Sequence, residues 1–185
     1  MNATPETVLD FWFTEIAPKQ WWVKDAIFDS MLKDRFGDLL IQAVACELAH
    51  WRTSADGRLA EIIVLDQFSR NIHRDTPQAF SQDPQALTLS QEAVAQGALE
   101  QLSGSDNLDK RTFLLMPYMH SESSIVHEAA VQLFSDYTPQ SNYEFELRHK
   151  AIIDRFGRYP HRNEILGRPS TEEETEFLQQ PGSGF

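Results

Sequence analysis

The chain has 185 residues, 41% of them hydrophobic, and a formal net charge of -12 from 28 acidic and 16 basic side chains. That length suits one domain over residues 1–185 with its own core, and the acidic balance argues against nucleic acid and anionic membranes as partners, because both are held mainly through Lys and Arg. No apolar run is long enough to cross a bilayer and the opening MNATPETVLDFWF lacks the basic start of an export signal, so a soluble, cytoplasmic protein is expected.

In chain order, Thr4, Pro5 and Glu6 read as an N-cap, a first-turn proline and an acid at the positive helix end. Val8, Leu9, Trp12 and Ile16 then make one helical stripe, closed by Pro18. After Trp21 and Trp22, Asp25 caps a helix carrying Phe28, Leu32 and Phe36, with a break or bend expected at Gly37. A second helix follows through Leu40, Val44, Leu48 and Trp51. It contains the single cysteine, Cys46, which reads as a small buried thiol with no basic neighbour to activate it. TSADGR reads as a turn before a strongly buried helix from Leu59 to about Asn71, and RDTPQAFSQDP as a linker. Asp83 and Pro84 open the next helix, and SGSDN ends that connection. KRTFLLMPYMHSES is apolar up to Pro117, with helix expected again over roughly 121–135, where Ser121 at a helix start would favour an anion. The last long helix is expected over about 140–156, stopped by Gly157 and Pro160. Two overlapping capping boxes, Ser170 with Glu173 and Thr171 with Glu174, announce a short terminal helix, and an irregular tail is expected over about 179–185. No stretch alternates as a strand does, so the fold class is all-α: about eight or nine helices in antiparallel hairpins.

Sixteen basic residues divide into eleven Arg and five Lys, and five of the arginines lie between positions 148 and 168. Arg is the residue of choice where a planar fork must hold a carboxylate or phosphate. Within RFGRYPHRNEILGR, Arg155 projects from a helix end, and Arg158, His161, Arg162 and Asn163 follow in a turn. LDQFSRNIHR places Asp66 and Arg70 at i and i+4, with Asn71 next, at the end of the most apolar helix. PYMHSES presents His120 and Glu122 beyond a proline. Trp21 beside such arginines is a candidate pocket wall. The pairs Glu47/His50 and Glu146/His149 have the Glu-x-x-His spacing of carboxylate-bridged metal bundles, but Arg148 and Arg155 near His149 oppose a dication, and no metal site is assigned. There is no Gly-rich phosphate loop, GxSxG elbow, HExxH or paired CxxC, and no cofactor is assigned.

Taken together, FWF at 11–13, WW at 21–22, LDQFSRNIHRDTPQAF at 65–80, MPYMHSE at 116–122, RHKAIIDRFGRYPHRNEILGRPSTEEETEFL at 148–178 and the closing PGSGF resemble the bacterial family known as domain of unknown function 924. The resemblance covers nearly the whole chain. It implies a tetratricopeptide-like, right-handed α-α superhelix and carries no biochemical activity with it. The family's polar signature falls here on Asp66, Gln67, Arg70 and Asn71, on His120, Ser121 and Glu122, and on Arg155, Arg158, His161, Arg162 and Asn163. Ser69 stands where the family often has proline, and SSIVHE follows Glu122 where an acidic run is more usual.

Three functions are open at this point, with no enzyme activity assigned. The first is a binding or scaffold module, in which Arg70, Asn71, His120, Arg155, Arg158, His161, Arg162, Asn163 and Trp21 gather around an anionic small molecule or a peptide carboxylate, the chain's own Phe185 carboxylate included; a protein partner is also compatible with it. The second is an enzyme with His120 or His161 as acid/base, oriented by Glu122 or Asp66. In the third, Asp66, Arg70, Glu122 and Arg155 are structural ion pairs and a partner surface lies elsewhere.

Overall fold

Apolar spacing near 3.6 produces helices throughout, and the computed structural model, which describes residues 3–104 and 107–184, contains helices and turns and no strand among those residues. Thr4 caps α1 (Pro5–Asp10), its hydroxyl accepting the N–H of Thr7. The helix then widens into a π turn over Phe11–Glu15 that buries Phe11 and Trp12. Asp25 caps α2 (Ala26–Val44) by accepting the N–H groups of Ile27 and Phe28. The break expected at Gly37 does not occur: a helical glycine costs about 1 kcal/mol, whereas Phe36, Leu39 and Leu40 around it are buried and contribute roughly 1.5–3 kcal/mol apiece. α2 ends two residues before Cys46, whose φ of 61° takes it out of the helix. The apolar stripe therefore stops short of the thiol, which is exposed rather than buried.

Trp51 sits in a 3-10 turn, Ala49–Thr53, and the next segment corrects a second expectation. TSADGR is a helix start: Ser54 caps α3 (Ala55–Ile63) by accepting the N–H of Gly57. Gly57 serves close approach, since a Cβ there would lie 1.9 Å from the Trp51 carbonyl oxygen. α3 passes through a π turn, Val64–Phe68, into α4 (Ser69–Ile72) as one continuous run. Beyond it, a 3-10 turn, Pro77–Phe80, leads to α5 (Asp83–Ala95), and Gly97 at φ 72° redirects the chain into α6 (Ala98–Gln101).

α7 (Leu108–Met119) runs through Pro117 into its last turn. α8 (Ser124–Tyr137) starts after Ser123, so Ser121 lies in the connecting turn and offers no helix N-terminus. α9 (Gln140–Phe156) ends at Gly157, whose φ of 70° is left-handed. A 3-10 turn, Pro160–Arg162, follows, and α10 (Glu172–Leu178) is capped by Thr171 with Glu174, the second of the two overlapping boxes.

α1 packs on α3, α3 on α5 and α5 on α7, while α7, α8 and α9 pack in sequence. The short connections between α7, α8 and α9 make these neighbours antiparallel, and the result is an all-α layered array of helix hairpins, a superhelical type of packing. The main core gathers the buried faces of α1 to α8, with Trp12, Phe36, Phe68 and Phe113 at its centre. A smaller core of Ile152, Ile153 and Tyr159, packed by Phe156 and Phe177, holds the 157–163 turn and α10 onto α9. Among the described residues no helix is long and apolar enough to cross a membrane.

Candidate functional site

The π turn in the α3–α4 run buries Asp66 almost completely and surrounds it with donors. His120 Nδ1 lies 2.7 Å and Arg70 NH1 3.0 Å from Asp66 Oδ1, while the Gln67 amide donates to Oδ2 at 2.6 Å. Burial alone would push the Asp66 carboxyl up, but the Arg70 and His120 charges and these hydrogen bonds hold it well below the usual carboxylate range. Asp66 is therefore an acceptor, and the His120 proton facing it sits on Nδ1. Burial, reinforced by Arg70, lowers the His120 pKa despite Asp66. The imidazole is thus neutral near pH 7, with a lone pair on Nε2 that takes part in no hydrogen bond among the described residues.

Arg70 also reaches across to α5, donating to both oxygens of Asp83 at 2.8 and 3.0 Å. Arg162 donates to the same carboxylate at 3.2 Å. Its guanidinium is sandwiched between Phe80 and Tyr159, with ring centres 4.7 and 4.6 Å away. The Arg162 side chain is only 7% exposed, and its buried Nε–H has no acceptor among the described residues. Burial and the nearby Arg70 charge lower its pKa. Two aspartates and two arginines thus balance at this point, yet one guanidinium donor remains unsatisfied.

Around this centre runs a second layer of contacts. Glu122 accepts both forks of Arg168, at 2.6 and 2.9 Å, and the Tyr159 N–H at 2.8 Å. Burial would raise its pKa, but Arg168 and that N–H lower it. Asn163 accepts from Arg168 and donates to Ser170, so it orients the arginine rather than facing His120. The Tyr159 hydroxyl donates to the Met119 carbonyl at 2.5 Å and lies 3.3 Å from His127 Nε2. His127 Nε2 in turn lies 2.9 Å from the Ser121 carbonyl and Nδ1 2.6 Å from Glu146, a carboxyl whose pKa burial raises. This buried set clamps the 119–122 turn, and hence His120, against α8 and α9. Burial lowers His149 to about 3, its Nδ1–H donating to the Phe145 carbonyl. Burial and Arg162 lower His161 to about 4.

The polar residues singled out in the sequence do not all meet. Asp66, Arg70, His120 and Arg162 converge, with His161 and Glu122 beside them. Arg155 pairs with Glu173 and Arg158 with Glu174, both directed at α10. Asn71 bonds the Gln67 carbonyl and Arg74, which pairs with Asp29 on α2. Trp21 packs against Phe113 with centroids 5.0 Å apart and donates to the Trp12 carbonyl, as part of the aromatic core. Glu146 faces His127 rather than His149. Phe185 lies outside the described residues. Asp83, Phe80, Tyr159, His127 and Arg168 were not assigned from sequence. Arg168 and Tyr159 lie in the arginine-rich stretch and Phe80 closes the 65–80 run, whereas Asp83 and Arg162 are 79 positions apart, and no local pattern encodes such a pairing.

A family model described as a bacterial protein of unknown function, DUF924, matches residues 8–182. The solved structure of a protein of unknown function from Agrobacterium tumefaciens, ATU0120, has a TM-score of 0.87 with 35% identity, covering 95% of this chain and 96% of that one. No curated protein matches the chain.

Proposed function

We propose that this chain, which belongs to the bacterial DUF924 family, is a cytoplasmic binding module for a small anionic ligand held at Arg162, with His120 and Arg70 beside it. One observation carries the proposal: Arg162 is buried between two aromatic rings, yet its Nε–H has no acceptor. A buried donor left unmade costs about 1–3 kcal/mol, and a flat guanidinium edge matches a carboxylate. A free acid or the terminal carboxylate of a peptide has that chemistry. The test is isothermal titration of acetate, benzoate and inorganic phosphate into wild type and Arg162→Met, which keeps the apolar stem between the rings. At least tenfold weaker binding in the variant, about 1.4 kcal/mol, is expected. Equal affinities, or no binding by any of the three anions, contradict the proposal.

A second reading rests on the free Nε2 of His120. A neutral imidazole oriented through Nδ1 by a buried carboxylate is poised as a general base, with Asp66 in the orienting role. Ester and amide substrates screened against wild type and His120→Ala test it, and turnover that survives the replacement excludes His120 as the base.

A further inference from the structure

Anion binding at Arg162 poses a charge problem that the surrounding residues answer. Asp66 and Asp83 already balance Arg70 and Arg162, and Glu122 balances Arg168. An entering carboxylate therefore adds one uncompensated negative charge to a site largely closed to water, which is strongly unfavourable. A proton taken up with the anion removes that cost, and His120 is placed to hold it. Its Nδ1–H already points at Asp66, 2.7 Å away, so a second proton on Nε2 makes an imidazolium backed by a carboxylate.

The groups facing His120 from each neighbouring element are Asp66 and Arg70 on the α3–α4 run, Asp83 on α5, His149 on α9 and His161 on the 160–162 turn. Arg70 opposes the extra proton, and an anion beside Arg162 offsets that opposition. The other histidines serve less well. His161 faces Arg162, His149 commits Nδ1 to the Phe145 carbonyl, and His127 is fully buried with Nε2 against the Ser121 carbonyl.

We propose that the site takes a small monocarboxylate together with one proton, which His120 holds at Nε2. The single charge of a monocarboxylate matches one proton, and its planar group matches the guanidinium edge between Phe80 and Tyr159. The proposal rests on the anion-binding reading of the same site.

Benzoate titrated at pH 7 in Pipes and in imidazole, buffers of different ionisation enthalpy, gives the number of protons taken up. Close to one is expected for wild type, and affinity then falls about tenfold for each pH unit above the His120 pKa of the complex. His120→Asn, whose amide still donates to Asp66, is expected to bind benzoate at least tenfold more weakly and with uptake near zero, and His161→Gln to keep it near one. Benzoate binding to wild type with no proton exchanged overturns the proton coupling and leaves the binding site standing. Uptake retained in His120→Asn, or lost in His161→Gln, overturns the assignment to His120. No benzoate binding at any pH removes the binding reading itself. The wild-type arm needs no variant to fold.

Discussion

Asp66 accepts from Gln67, Arg70 and His120 while almost wholly shielded from water. Asp66→Asn removes the charge and leaves the partly buried Arg70 and His120 facing an amide, so a loss of about 3–5 kcal/mol is expected in urea denaturation. The exposed pair of Arg155 with Glu173 predicts under about 1 kcal/mol for Arg155→Ala. The histidines set a pH dependence with a definite sign. His149 and His161 are held at about 3 and about 4 in the folded chain, against an unfolded value near 6.5. Their contribution is present above pH 6.5 and is lost as pH falls toward those folded values, because the unfolded chain takes the protons first. Between pH 7 and pH 5 the two together cost about 3–4 kcal/mol, and His161→Gln removes about half of that decline in denaturation curves at the two pH values. The i, i+4 placement of Asp66 and Arg70 was legible in the sequence. The sharing of Asp83 by Arg70 and Arg162 was not, because it joins segments that only the fold brings together.

At the scale of elements, the caps and the helix stop at Gly157 read well, whereas two other glycines did not. Thr4, Asp25 and Thr171 each accept the N–H groups their positions called for, since capping depends on a few adjacent residues. Gly37 and Gly57 looked like breakers and are helical, the first carried by its buried neighbours and the second required by the Trp51 backbone. Gly57→Ala is accordingly expected to cost more than about 3 kcal/mol, beyond the usual range for overpacking, because a backbone carbonyl must move. Gly37→Ala, with a built Cβ 3.9 Å from the nearest side-chain atom, is expected to stabilise by about 0.4–1 kcal/mol. Thermal melts of the two variants side by side check both signs. The π turn at Val64–Phe68 left no mark in the apolar pattern, although it carries Asp66. Its hydrogen-bond shift is set by packing, to which periodicity is blind.

Across the whole molecule, the site joins the α3–α4 run, α5, the 119–122 turn and the 159–162 turn. Helix content and antiparallel hairpins followed from spacing and short loops, whereas the superhelical arrangement was expected from the resemblance alone. Tyr159 binds these segments together: its ring stacks on Arg162, its N–H reaches Glu122 and its hydroxyl reaches Met119. The central claim is that this junction presents an unsatisfied guanidinium donor to an anion, and the Arg162 Nε–H itself can be watched. A ¹H–¹⁵N spectrum of the arginine Nε region, with Arg162 identified by its loss in Arg162→Met, is recorded during titration with benzoate. A saturable downfield shift of the Arg162 Nε–H signal is the predicted result. A signal that stays in place while benzoate reaches saturating concentration contradicts the claim.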